Sequence, residues 1–259
     1  MRILAIETTD KIGSVAAFDD ANLLAELVLD HSQRSAQSLA PAMRDLLIQV
    51  GWSPSDVQLL AVSIGPGSFT GLRVGVTAAK VFAYAVGAEV LGVNTLEAIA
   101  ANCIATQSNK ILVVMDAQRG EVVVQSFVRQ ADGWFAPAGP QDLLDADVWL
   151  ARLSVAASGE LLPPTNAPPL QWGGFEKRQD FLESHQLVTG PGLVRLFDRL
   201  PPGVAALDQS CWHPRASAVG RLAARYHAEG RRDDLWKLVP HYYRRSAAEE
   251  KWDARMAQP

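Results

Sequence analysis

The chain is poor in the residues from which most reactive sites are built. Its 259 residues include only two cysteines, Cys103 and Cys211, and neither belongs to a CxxC pair. That speaks against a disulfide framework and against a zinc site of the usual spacing. The five histidines, His31, His185, His213, His227 and His241, are scattered. No two stand at H-x-x-x-H spacing, which would put both imidazoles on one helix face. Ser68, in Pro66-Gly67-Ser68-Phe69-Thr70, is not in a G-x-S-x-G nucleophile elbow. Long apolar runs are missing too. None reaches the ~18 residues that span a bilayer, and the run within Met1–Glu7 is too short for the apolar region of a signal peptide. Charge of one sign is not in excess either: 24 Lys+Arg oppose 28 Asp+Glu, a net charge of -4. Such a balance exerts little pull on phosphate backbones, so independent nucleic-acid binding is not favoured. The expectation is a cytoplasmic globular protein, 48% hydrophobic, with one large domain or two modest ones.

The first third alternates clearly. Arg2 to Ile6, Gly13 to Phe18 and Leu23 to Leu29 read as three strands of an antiparallel meander. A helix follows from about Ala36 to Val50, with Leu39, Met43, Leu46, Leu47 and Val50 at 3- and 4-residue spacings. Pro41 sits early enough in it to cost little. Leu59 to Ile64 is an apolar run suited to a strand buried on both faces. A helix from Leu72 to Val86, a strand from Val90 to Val93 and a helix from Thr95 to Ala105 complete the order β-β-β-α-β-α-β-α.

The second half restarts the theme with strands Lys110 to Met115 and Glu121 to Val128. Both halves open on an apolar strand ending in an acid, Ile6-Glu7 and Met115-Asp116, which suggests a duplicated architecture. The expected domains are 1–107, completed by a helix at 214–229, and 108–212, carrying a Pro-rich loop at 156–174. A tail at 231–259 follows. Short helices are expected at Phe175 to His185 and Leu193 to Leu200.

The glycines Gly65, Gly67, Gly71 and Gly75 straddle a strand end and a helix start. A phosphate-cradling loop needs that placement, but so does tight strand-to-helix packing. The P-loop ending Gly-Lys-Ser/Thr is absent, and the G-x-G-x-x-G spacing is broken. The helix behind the glycines is apolar nearly all round, its polar side chains being Arg73, Thr77, Lys80 and Tyr84. Such a helix needs cover on two sides, from its own chain or from another. Cys103 lies among apolar residues and reads as core. Glu7 and Asp116, at two strand ends, are candidates for holding a metal–phosphate from opposite domains.

Three segments carry a resemblance. Ile64-Gly65-Pro66-Gly67-Ser68-Phe69-Thr70-Gly71-Leu72-Arg73-Val74-Gly75 resembles the signature of the TsaB family of tRNA threonylcarbamoyladenosine biosynthesis subunits. Asp116-Ala117-Gln118-Arg119-Gly120-Glu121-Val122 is similar to that family's D-A-R-R-G-E-V segment, and Pro240 to Glu249 to its C-terminal P-x-Y-L-R-x-x-x-A-E. The likeness is weak between Gln130 and Pro201.

The resemblance implies an α/β fold of the actin/hexokinase/Hsp70-like (ASKHA) kind, with two related domains and mixed sheets. It implies a non-catalytic subunit that binds and activates the threonylcarbamoyltransferase TsaD as a heterodimer. The small ATPase TsaE would be a further partner, tRNA would be met only through the complex, and the free chain could pair with itself. No cofactor is expected on this chain alone; ATP and metal would belong to the partner subunits. The transferase carries a metal-binding H-x-x-x-H, and here Thr95 and Ile99 would occupy the two histidine places. Glu7-Thr8-Thr9-Asp10 lacks the glycine of the fold's usual D-x-G-T/S motif, and Gly190-Pro191-Gly192 has proline where an acid is common. Glu7, Thr8, Thr9 and Asp116 would then be a vestigial nucleotide site. The partner interface would lie on the first two helices, at Leu39, Met43, Leu47, Leu72, Arg73, Val76, Ala79, Lys80 and Ala83. The competing readings are an ATP-dependent kinase of the same fold using Glu7, Thr8, Thr9 and Asp116, and a metallopeptidase.

Overall fold

The computed structural model describes residues 1–30, 35–158 and 187–243. The meander forms as its alternation requires: β1 (Arg2–Glu7), β2 (Ser14–Asp19) and β3 (Asn22–Val28) pair antiparallel. The chain then crosses over through α1 (Ser35–Gln49) to β4 (Leu59–Gly65), and through α2 (Phe69–Val86) to β5 (Glu89–Asn94). Both of these strands run parallel to their neighbours, giving the order β3-β2-β1-β4-β5. β4 is buried at every position, as its unbroken apolar run predicts.

The second sheet repeats this plan strand for strand. β6 (Lys110–Gln118) and β7 (Glu121–Arg129) form an antiparallel hairpin, and β8 (Phe135–Pro137) and β9 (Asp142–Asp145) pair with the outer side of β7. After α4 (Ala146–Ser158), β10 (Leu187–Thr189) lies parallel to β6. After α5 (Leu193–Leu196), β11 (Ala205–Ala206) lies parallel to β10. The order β11-β10-β6-β7-β8 is therefore the first sheet's order read from its other edge. The duplication that the two strand-plus-acid starts suggest is a duplication of topology.

Two helices lie between the sheets. α3 (Thr95–Asn102) packs Leu96, Ile99 and Ala100 against Ile111, Val113 and Phe127 of the second sheet. α6 (Ala216–Ala228) packs Ala218, Val219 and Leu222 against Ile3, Ala16 and Phe18 of the first. The two helices touch, and the Tyr226 hydroxyl donates to Glu97. The outer faces are covered by α1 and α2 on the first sheet and by α4 and α5 on the second.

Some boundaries differ from those expected. The helix expected over Thr95 to Ala105 ends at Asn102, because Cys103 N–H turns back to Ala100 in a tighter final turn. β6 runs past Asp116 to Gln118, with an irregularity in register between them. Leu193 to Leu200 is one α turn followed by a 3-10 turn, ahead of Pro201. α4 was not expected, although its signal is present: Asp145 accepts from the N–H groups of Asp147 and Val148, and Trp149, Leu150 and Leu153 follow at helical spacing. The expected helix at Phe175 to His185, most of the loop at 156–174 and the tail beyond 243 lie outside the described residues.

Candidate functional site

The glycine turn is a latch between β1 and α2. Ser68 caps α2, its Oγ accepting from Gly71 N–H, and Ser68 N–H donates to the Thr9 carbonyl at 2.7 Å. Buried Thr8 donates its hydroxyl to the Gly71 carbonyl at 2.8 Å. A Cβ on Gly71 would lie 1.8 Å from the Thr8 carbonyl oxygen, and one on Gly75 would lie 2.3 Å from Thr8 Oγ1. Gly67, at φ +159°, fits against Thr9, and Gly65, at φ +122°, against the His241 carbonyl. All four glycines are thus used for close backbone approach. Strand-to-helix packing, one of the two uses that the sequence allows, accounts for these close approaches. The second half does the same with Gly190, where a Cβ would meet the Val114 carbonyl oxygen of β6 at 2.1 Å.

Glu7 sits beneath this latch and is wholly buried. Its carboxylate accepts from Thr9 N–H, from the Thr9 hydroxyl and from the Ser63 hydroxyl of β4. Burial pushes its carboxyl up to about 7, against the lowering effect of the Ser63 and Thr9 hydrogen bonds. Ser63 is a partner that sequence reasoning missed. The signal was a lone hydroxyl inside an otherwise apolar strand, which has to be satisfied by something.

Asp116 is placed quite differently. It is exposed, accepts from Gln118 N–H at 2.8 Å and pairs with Arg195 at 3.3 Å. It borders a cleft of about 430 Å³ between the halves, together with Pro66, Gly67, Ser68, Phe69 and Tyr242. Glu7, Thr8 and Thr9 do not line that cleft. The four residues grouped as a vestigial nucleotide site are therefore split, three beneath the glycine turn and one beyond it. The structure does not assemble them into one site.

The expected interface residues also need correction. Leu39, Met43 and Leu47 of α1, and Leu72, Val76, Ala79 and Ala83 of α2, are buried in the chain's own core. The apolar stripe of each helix faces its own sheet, as in any amphipathic helix. The outward stripe lies one residue further on in α1, at Ala40, Arg44 and Ile48. In α2 it comprises Thr70, Arg73, Thr77, Val81 and Tyr84. Two large apolar side chains and a tyrosine ring stand out in it: Ile48 is 69% exposed, Val81 63% and Tyr84 68%.

Part of the second cover of α2 comes from a strap formed by residues 231–243. Arg231 and Asp233 hold it to Gly92 of β5. Leu238 is buried against the outer core. Lys80 Nζ donates to the carbonyls of Trp236 and Leu238, and His241 N–H donates to Ile64 at 2.6 Å. Arg73 lies 3.9 Å over the Phe69 ring and donates to the Tyr242 hydroxyl, while Tyr242 stacks on Phe69 at 4.6 Å. Lys80 and Arg73 are thus tied to the chain's own strap. Trp236, 71% exposed, meets Tyr84 edge-on and extends the outward stripe. Tyr242→Ala should cost no more than about 1 kcal/mol of global stability yet speed proteolytic cleavage within the strap. Limited proteolysis at an unchanged rate would mean that the strap is held elsewhere.

Thr95 and Ile99 are both fully buried on α3. Ile99 packs against the second sheet. Among the described residues, no three His, Cys, Asp or Glu side chains gather into a metal-binding group. Among the same residues, no helix is long and apolar enough to cross a membrane.

Comparisons with known proteins agree with this architecture. Residues 29–140 match a family described as TsaD, tRNA N6-adenosine threonylcarbamoyltransferase. The chain is 30% identical over 247 residues to the tRNA threonylcarbamoyladenosine biosynthesis protein TsaB of Escherichia coli, covering 93% of this chain and 99% of that protein. It is 29% identical to the protein of the same name from Bacillus subtilis, over 97% of this chain and 98% of that one. Among solved structures, YeaZ from Pseudomonas aeruginosa superimposes with a TM-score of 0.69 at 25% identity, covering 93% of this chain and 99% of that chain.

Proposed function

The chain belongs to the TsaB family of tRNA threonylcarbamoyladenosine biosynthesis proteins, and on that footing we propose that it is a non-catalytic subunit that binds and activates the transferase TsaD. The observation that carries the reading is the outward stripe of α1 and α2. The aliphatic side chains of Ile48 and Val81 and the ring of Tyr84 are exposed on two packed helices, and Trp236 prolongs the surface. Exposed apolar side chains grouped in this way mark association surfaces, and Tyr and Trp are the residue types that most often anchor them. Two adjacent helix faces can offer the roughly 800 Å² per partner that a specific interface needs.

The rest of the chain supports a structural role over a chemical one. Thr95 and Ile99 hold core positions where the transferase would carry its histidines. Glu7 is consumed by three hydrogen bonds and by burial, so it is not presented to a substrate. In this reading ATP, metal and the chemical step belong to TsaD and TsaE, and tRNA is met through the complex. The same helical face would serve a homodimer of the free chain.

Val81→Asp and Tyr84→Asp test the reading. Each places a carboxylate in a surface that docking would desolvate, and both positions are exposed, so folding should be unaffected. TsaD affinity should fall at least about 30-fold, the equivalent of about 2 kcal/mol, by sedimentation or calorimetry. Folded variants that bind TsaD as tightly as the wild type would remove this face from the interface.

A further inference from the structure

The chain's only two cysteines are far apart in sequence and neighbours in space. Cys103 follows the last turn of α3, and Cys211 ends a 3-10 turn just before α6. Thr189, at the end of β10, links them. Cys103 Sγ lies 3.8 Å from Thr189 Oγ1, and that hydroxyl donates to the Cys211 carbonyl at 3.1 Å. Cys211 Sγ lies 3.8 Å from the carbonyl of Asn102, the residue before Cys103. Asn102 in turn donates its amide to the His213 carbonyl at 2.9 Å, so the same two segments are tied twice. The two thiols are close enough to act on each other electrostatically. Cys103 is buried and Cys211 is partly exposed.

We propose that Cys103 and Cys211 are a redox modification site, closing an intramolecular disulfide when a low-molecular-weight disulfide such as oxidised glutathione supplies the oxidising equivalents. Cys211, the accessible member, loses its proton and attacks one sulfur of the oxidant. A mixed disulfide forms, and one small thiolate leaves and takes up a proton. Cys103 then loses its proton and attacks the Cys211 sulfur, releasing the second small thiol. Two electrons pass from the cysteine pair into the oxidant's S–S bond, and the two protons end on the released thiols. Burial pushes the Cys103 thiol up to about 12, so the resolving step is the slow one and quickens in alkaline solution. The new bond would join the end of α3 to the entrance of α6. Those two helices separate the sheets, so oxidation would fix the halves against each other.

The test uses the purified full chain, native, with oxidised glutathione as the probe. Intact mass without reductant should fall by the mass of two hydrogen atoms. A Cys103–Cys211 cross-linked peptide should appear, and Tm should rise by several degrees and return on reduction. Cys103→Ser should stop at a stable glutathione adduct on Cys211, and Cys211→Ser should stay unmodified. Two free thiols after prolonged oxidation of the native wild type, or a wild-type adduct that never resolves, would overturn the assignment. The wild-type masses decide the matter even if a variant folds poorly.

Discussion

Gly71→Ala should destabilise the chain by about 3 kcal/mol or more, the upper range for forcing atoms into a packed site. The added methyl would stand 1.8 Å from the Thr8 carbonyl oxygen. That neighbour is backbone, just past the end of β1, and cannot swing aside as a flexible side chain could. Relief would require α2 to move away from β1, breaking the bond from the Thr8 hydroxyl to the Gly71 carbonyl and the one from Ser68 N–H to Thr9. Alanine is otherwise a better helix former than glycine, by up to about 1 kcal/mol, so the opposite sign would be expected if the approach were loose. Chemical denaturation separates the cases. A variant as stable as the wild type would show that the latch does not fix the position of α2.

Stability should also depend on pH through Glu7. In the folded chain this carboxyl keeps its proton up to about 7, against an ordinary value of 4.5. Between those values the folded state binds more protons than the unfolded one, so stability falls as pH rises. The contribution is full below the unfolded value and is lost as pH passes through the folded one. It amounts to about 3 kcal/mol across the window from pH 4.5 to 7. Burial is the dominant cause, and the donors from Thr9 and Ser63 limit the shift. Glu7→Gln keeps an oxygen to accept from Thr9 and can donate to the Ser63 hydroxyl, but it has no charge to desolvate. Its denaturation profile should be nearly flat from pH 5 to 8 where the wild type slopes downward. Equal slopes in the two proteins would place the titrating group elsewhere.

How much of this was legible in the sequence depended on whether the signal was local. The meander, the buried β4 and the helix after the glycines follow from periodicity and turn residues, and the structure keeps them. The glycine turn was legible as a place of close approach, and only the identity of the approaching group was not. That group, Thr8, lies 63 residues away, just past the end of β1. For the interface, periodicity found the apolar stripe through Leu39, Met43 and Leu47, but an apolar stripe marks the face that a helix buries in its own domain. The outward face, with Ile48, Val81 and Tyr84, carries no periodic signal, because isolated exposed apolar side chains are ordinary on helices. The strap was invisible for a different reason. Lys80, Arg73 and Phe69 meet Trp236, Leu238 and Tyr242 across a long stretch of chain, with no local pattern to announce it. Glu7 and Asp116 look alike in sequence as acids ending strands, yet one is sealed beneath the turn and the other opens on the cleft.

The most direct measurement is threonylcarbamoyl transfer to tRNA by purified TsaD from the same organism, with and without an equimolar amount of this chain. Transfer should need both proteins, with this chain inactive alone, and Tyr84→Asp should lower the stimulation in proportion to its weakened binding. Transfer by TsaD at the same rate without this chain, or transfer by this chain unaided, would show that it is not an activating, non-catalytic subunit.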